Sequence, residues 1–139
     1  DHNGVKEKET IINTLKNEYE IIDKSTNNYP LDDYPTFAFE VGEYVSSNKN
    51  TLGILLCGTG IGMSIAANKV KGIRCAHVSN LAEAKLARMH NNANIIAMSY
   101  KNNINDILDY IKAFITTDFA NEERHIRRIK MIEEYERRN

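Results

Sequence analysis

Tryptophan is absent from this 139-residue chain, and proline and cysteine occur only twice each. Two cysteines, Cys57 and Cys75, are too few for a disulfide framework or a thiolate zinc cage, so a reducing compartment, the cytoplasm, is expected. An excess of either charge is lacking as well. The 18 basic and 19 acidic side chains leave a net charge of −1, which argues against a general nucleic-acid binder, whose domain is strongly basic. No apolar run approaches the ~20 residues a membrane helix needs, and no signal peptide is visible. Internal repeats and low-complexity tracts are missing too. What remains is ordinary for a folded domain: 42% hydrophobic and 27% charged residues rule out disorder as the main state. The length suits one domain that buries its core without metal or disulfide.

The apolar spacing alternates between two periods. Val5, Ile11, Ile12 and Leu15 form one side of a helix over residues 5–15, and a short β-rich run follows at 19–22. Residues 24–33 are polar, contain Pro30 and stop before Pro35, so they read as a loop; Pro35 then suits the first turn of a helix reaching about residue 45. Residues 52–57 are continuously apolar, as in a strand covered on both faces. Strands at 73–78 and 94–98 and helices at 63–68, 81–89, 105–115 and 122–138 complete the alternation. This pattern predicts an α/β fold, a parallel sheet with right-handed crossovers and helices on both faces.

Ligands of open parallel sheets bind beyond the carboxyl ends of the strands. Cys57-Gly58-Thr59-Gly60-Ile61-Gly62 lies at such an end, where glycines bring main-chain N–H groups close to an anion at a helix start. Three glycines in five residues exceed what a tight turn needs. The third arrives one residue too early for the dinucleotide fingerprint, no acidic residue ends the next strand, and no Gly-Lys-Ser/Thr follows. Cys57 has two readings, a thiol activated at a helix N-terminus or a small buried residue closing a strand. His77 reads as structural in mid-strand, and His90 as lying just beyond a helix. Asp1 and His2 are neighbours able to orient one another. Arg124 and Arg128, four apart, share a helix face and suit a phosphate. The plainer reading of that face is a solvated basic helix, with Glu122, Glu123, Glu133 and Glu134 diluting its field against nucleic acid.

Together these residues resemble the type B ribose-5-phosphate isomerase family and its galactose-6-phosphate isomerase relatives. The run from Gly53 to Lys69, then Gly72-Ile73-Arg74, carries most of the likeness; Asp1-His2, Asp33-Tyr34-Pro35, His90-Asn91 and Arg124-His125…Arg128 follow the family's order. The resemblance implies a Rossmann-like three-layer αβα sandwich. It implies a homodimer or dimer of dimers with sites completed across subunits, the helix at about 120–138 packing on the partner. No metal and no cofactor are implied. The implied reaction interconverts ribose 5-phosphate and ribulose 5-phosphate through an enediolate. Cys57 matches the base and Thr59 the hydroxyl beside it. Gly58, Gly60, Ile61 and Gly62 match the oxyanion loop, and His90 the ring-opening group, with Asn91 binding substrate. His2, Arg124 and Arg128 match phosphate contacts, Asp1 a sugar contact and Tyr34 a pocket wall.

Two departures stand out. Lys101 replaces an arginine found in many members, keeping the charge without the planar fork. The family's opening hydrophobic strand, which ends at Asp-His, has no counterpart, so a central strand is expected upstream of Asp1. Galactose-6-phosphate isomerase subunits typically lack the Cys-Gly-Thr-Gly run and assemble from two different subunits. Members with a carboxylate base carry it a few residues later, where residues 61–66 offer none. The pentose enzyme is therefore expected; the alternatives are an isomerase of allose or galactose 6-phosphate and a non-catalytic phosphosugar-binding module.

Overall fold

The structure is a computed structural model that describes residues 1–26, 29 and 32–139. A short 3-10 turn (His2–Gly4) leads into α1 (Val5–Leu15); α2 (Tyr34–Ser47), β1 (Gly53–Cys57), α3 (Ile61–Ala67), β2 (Cys75–His77), α4 (Leu81–Asn91), β3 (Ile95–Ser99), α5 (Ile104–Thr116) and α6 (Glu123–Arg138) follow. The described strands form one parallel sheet in the order β1-β3-β2. The chain steps over β3 on leaving β1 and returns between the two after β2. Connections of one hand that reverse direction must leave on opposite faces, and α3 and α4 do.

Alternation along the strands sorts the core into two layers. Leu55, Cys57, Ile95 and Ala97 face Phe37, Ala38, Met63 and Ala67 of α2 and α3. Leu56, Ile96 and Met98 face Leu15, Ala84, Ile107, Ile111 and Phe114 of α1, α4 and α5. The α/β sandwich expected from the sequence is therefore present, and α1 has the predicted limits.

Three expectations need correction. Residues 19–22 form no strand, because a strand needs a paired neighbour and they have none among the described residues. They line a cavity of about 590 Å³ that also runs along Leu52–Leu56, the edge of β1 not paired with β3. Ile11, Leu15, Val41 and Ile115 add apolar walls, and at one end the Asp1 nitrogen donates to the Leu56 carbonyl at 2.8 Å. β2 is shorter than predicted: at the sheet margin only Cys75–His77 pair, although Ile73 and Val78 are buried beside them. α4 runs two residues past its expected end, so His90 lies in its last turn. Of the expected loop at 24–33, Asn27, Asn28, Pro30 and Leu31 lie outside the described residues.

Candidate active site

The carboxyl ends of β1 and β3 carry the first group of predicted residues. Cys57 ends β1 and is 5% exposed, within the apolar layer under α2 and α3. Its Sγ nevertheless accepts the Gly60 N–H at 3.1 Å. Gly60 is left-handed (φ 83°), and a Cβ there would lie 2.7 Å from the Met98 Cα. Only glycine turns the chain back over the strand end so tightly.

The turn spends part of its donor set on itself. Gly60 N–H points at sulfur, and Ile61 N–H goes to Thr59 Oγ1 at 3.1 Å. The N–H groups of Gly58, Thr59 and Gly62 make no hydrogen bond to described residues. They remain for a ligand, a smaller cradle than the five N–H groups of residues 58–62. The turn is braced from outside by Ser99, whose hydroxyl donates to Gly58 O at 2.7 Å, and by His77, whose Nε2 lies 2.9 Å from Thr59 O. His77 is thus exposed at the end of β2 and attached to the loop, where a mid-strand structural role had been expected. Tyr34 packs on Gly62, where a Cβ would lie 2.5 Å from its Cζ. Lys101 is exposed just beyond β3, its N–H on Ser99 Oγ at 3.1 Å.

Asp1 and His2 reach this end through the 3-10 turn, but they do not orient each other. The Asp1 carboxylate caps the Asn3 N–H at 2.9 Å. His2 pairs instead with Asp32, whose Oδ1 lies 2.8 Å from Nδ1 and accepts the His2 main-chain N–H at 2.9 Å. Asp32 is 5% exposed. A carboxylate so buried needs such donors, and it holds the ring with Nε2 directed elsewhere. Sequence reasoning missed Asp32, since an acid inside a polar loop carries no sign that it will be buried. Among the described residues, Asp1, His2 and Asp32 form one group whose potential metal-ligating atoms come within 4.8 Å of each other. The bonds just described engage the Asp1 and Asp32 carboxylates and the His2 Nδ1.

The remaining predicted residues lie at the opposite end of the sheet. α4 runs from the carboxyl end of β2 to the start of β3, so its eleven residues carry His90 and Asn91 about 16 Å away from the strand ends that bear Cys57. Two arginines fix this helix end. Arg74 donates to Asn91 O and Asn92 O, and Arg88 donates to Ala93 O at 2.6 Å. The His90 ring stacks on His125 of α6, with centroids 4.3 Å apart and planes 16° from parallel. Arg124 and Arg128 are exposed on that helix, and Arg124 also pairs with Glu122 at 3.1 Å. The expected site is therefore two half-sites, one at each end of the sheet.

The sequence profile of the ribose/galactose isomerase family matches residues 1–132. The chain belongs to that family. Within it, the chain is 39% identical to a probable ribose-5-phosphate isomerase B of Mycoplasma pneumoniae, the match covering 99% of this chain and 91% of that protein. It is 41% identical to the ribose-5-phosphate isomerase B of Mycobacterium tuberculosis, covering 99% and 86%. Among solved structures of the family, the Mycoplasma genitalium ribose-5-phosphate isomerase B with bound ribulose-5-phosphate superposes with a TM-score of 0.94 at 39% identity, covering 100% of this chain and 93% of that one.

Proposed function

We propose that this chain is an aldose–ketose isomerase that interconverts D-ribose 5-phosphate and D-ribulose 5-phosphate. The observation carrying this reading is the Cys57 sulfur, held at a strand end by the Gly60 N–H in a glycine turn with three uncommitted N–H donors, in a chain so similar to a structure containing ribulose-5-phosphate. In this reading His90 assists opening of the furanose ring and Asn91 holds the sugar. The Cys57 thiolate removes the C2 proton of the open-chain aldose, and the electron pair moves through C1 onto O1. The Thr59 and Gly62 N–H groups stabilise that oxyanion, each such donor supplying up to ~3 kcal/mol. The Thr59 hydroxyl relays a proton from O2 to O1. Cys57 then returns its proton to C1, and no atom is gained or lost.

Asp1 and Lys101 contact the sugar chain, Tyr34 closes the pocket, and His2, Arg124 and Arg128 bind the phosphate. Because the two half-sites lie at opposite ends of one sheet, the working unit is a homodimer or a dimer of dimers. The half-site at the amino end of the partner's sheet then completes the first chain's half-site at the carboxyl end. Exposed apolar side chains on the helices between the half-sites, Ile65, Leu86, Met89, Met131, Ile132 and Tyr135, give such a partner a surface to cover.

The test is turnover of ribose 5-phosphate by wild type and Cys57→Ala, with EDTA present throughout, beside NMR of the sugar in D2O. Wild type turns over with EDTA present and places deuterium at C1 of the ketose. Cys57→Ala binds the sugar phosphate but turns over roughly 10²–10⁴-fold more slowly. Near-normal turnover by Cys57→Ala removes Cys57 as the base, and binding without exchange by wild type makes the chain a phosphosugar-binding module.

A further inference from the structure

Two polar side chains are buried among the described residues, Asp32 and His125, and each lies against an imidazole of the expected site. Asp32 is satisfied by the donors already described. His125 is not so well provided. It is 6% exposed; its Nε2 lies 3.4 Å from Arg124 Nε and 3.8 Å from a Glu122 carboxylate oxygen, both long contacts. Burying a polar ring with weak partners costs free energy that an apolar residue on the same face of α6 would not. What the ring does have is a flat contact with His90.

The charges around it decide its state. It faces Arg124 and Arg128 of α6 and Glu122 just before that helix, and across the stack it faces His90 of α4. Burial, then the neighbouring His90 and Arg124, hold His125 below the ordinary imidazole range, so the ring is neutral at pH 7. A neutral plane 4.3 Å away shields one face of His90 from water and limits rotation about its side-chain bonds, without adding a positive charge beside it.

We propose that His125 is a positioning residue that sets the plane of the His90 imidazole for ring opening. This rests on the reading of His90 as the ring-opening group. The arrangement asks for a flat ring at position 125, not for a proton donor.

The experiment compares His125→Phe, His125→Ala and His90→Asn, measuring kcat and KM for ribose 5-phosphate, the melting temperature and the His90 ring resonances by NMR. His125→Ala lowers kcat about tenfold, with KM changed by less than about twofold, because His90 loses its orientation and not its contact with substrate. His125→Phe restores the stack and recovers most of that loss, and the His90 resonances shift in the alanine variant far more than in the phenylalanine one. If His125→Ala does not fold, His125→Gln, with similar bulk and no ring, takes its place. Wild-type kcat in the alanine or glutamine variant overturns the proposal, as does a folded phenylalanine variant that loses as much as the alanine one. Undiminished turnover by His90→Asn removes the role of His90 itself. A crippled His90→Asn beside an unaffected His125→Ala removes only the positioning role.

Discussion

Gly60 shows how much of the candidate site depends on a hydrogen atom in place of a side chain. Its left-handed φ and the approach of the Met98 backbone leave no room for a methyl group, and neither obstacle is a flexible side chain that could yield. Gly60→Ala therefore costs about 1–2 kcal/mol for the conformation alone, and more for the clash. The expected outcome is a lowered melting temperature together with loss of turnover, since the N–H that reaches Cys57 Sγ moves with the turn; calorimetry and the coupled isomerase assay measure the two. Cys75, the second thiol, shows the contrasting use of sulfur. Burial pushes its pKa up to about 12, so it stays a protonated thiol, half-buried against the core.

Among the elements, α4 is the most explicitly specified. Asn80 accepts the Glu83 N–H at 2.8 Å, while the Glu83 carboxylate accepts the Ser79 N–H and hydroxyl at 3.0 and 2.6 Å. These bonds hold Glu83 below the usual carboxylate range. Removing the two carboxylate bonds to Ser79 with Glu83→Ala, which leaves the main-chain bond to Asn80, costs about 1 kcal/mol, measurable as a shifted urea midpoint with unchanged slope. Such local devices, together with hydrophobic periodicity, made α1, α2, β1, β3, α5 and α6 legible in the sequence to within a few residues. Residues 19–22 misled for a physical reason: β propensity describes a side chain's fit to a pleated surface, while a strand exists only where a neighbour supplies hydrogen bonds. The glycine turn and Cys57 were legible because glycine spacing and a thiol at a strand end are local. The His2–Asp32 and His90–His125 pairs were not, because both depend on which distant elements the fold brings together.

At the scale of the whole molecule, the proposed site, with Cys57 and His90 at opposite ends of the sheet, predicts that activity depends on more than one copy. Mixing Cys57→Ala with His90→Asn after joint refolding tests this directly. Each variant alone is nearly inactive, but random pairing makes half the dimers mixed and gives each mixed dimer one intact site, so activity returns to about a quarter of wild type. Sites built within single chains would give no recovery. The arginine clasp beneath α4 bears on how such a shared site keeps its shape. Helix ends ordinarily fray, opening and closing with little free-energy cost. Here the guanidinium groups of Arg74 and Arg88 hold the carbonyls of Asn91, Asn92 and Ala93, and the Ala120 N–H holds that of Met89. The amide protons of Asn92 and Ala93 should therefore outlast those in the last turn of α6 by orders of magnitude in deuterium exchange. The imidazole lent to a neighbouring subunit would then sit on one of the stillest parts of the backbone.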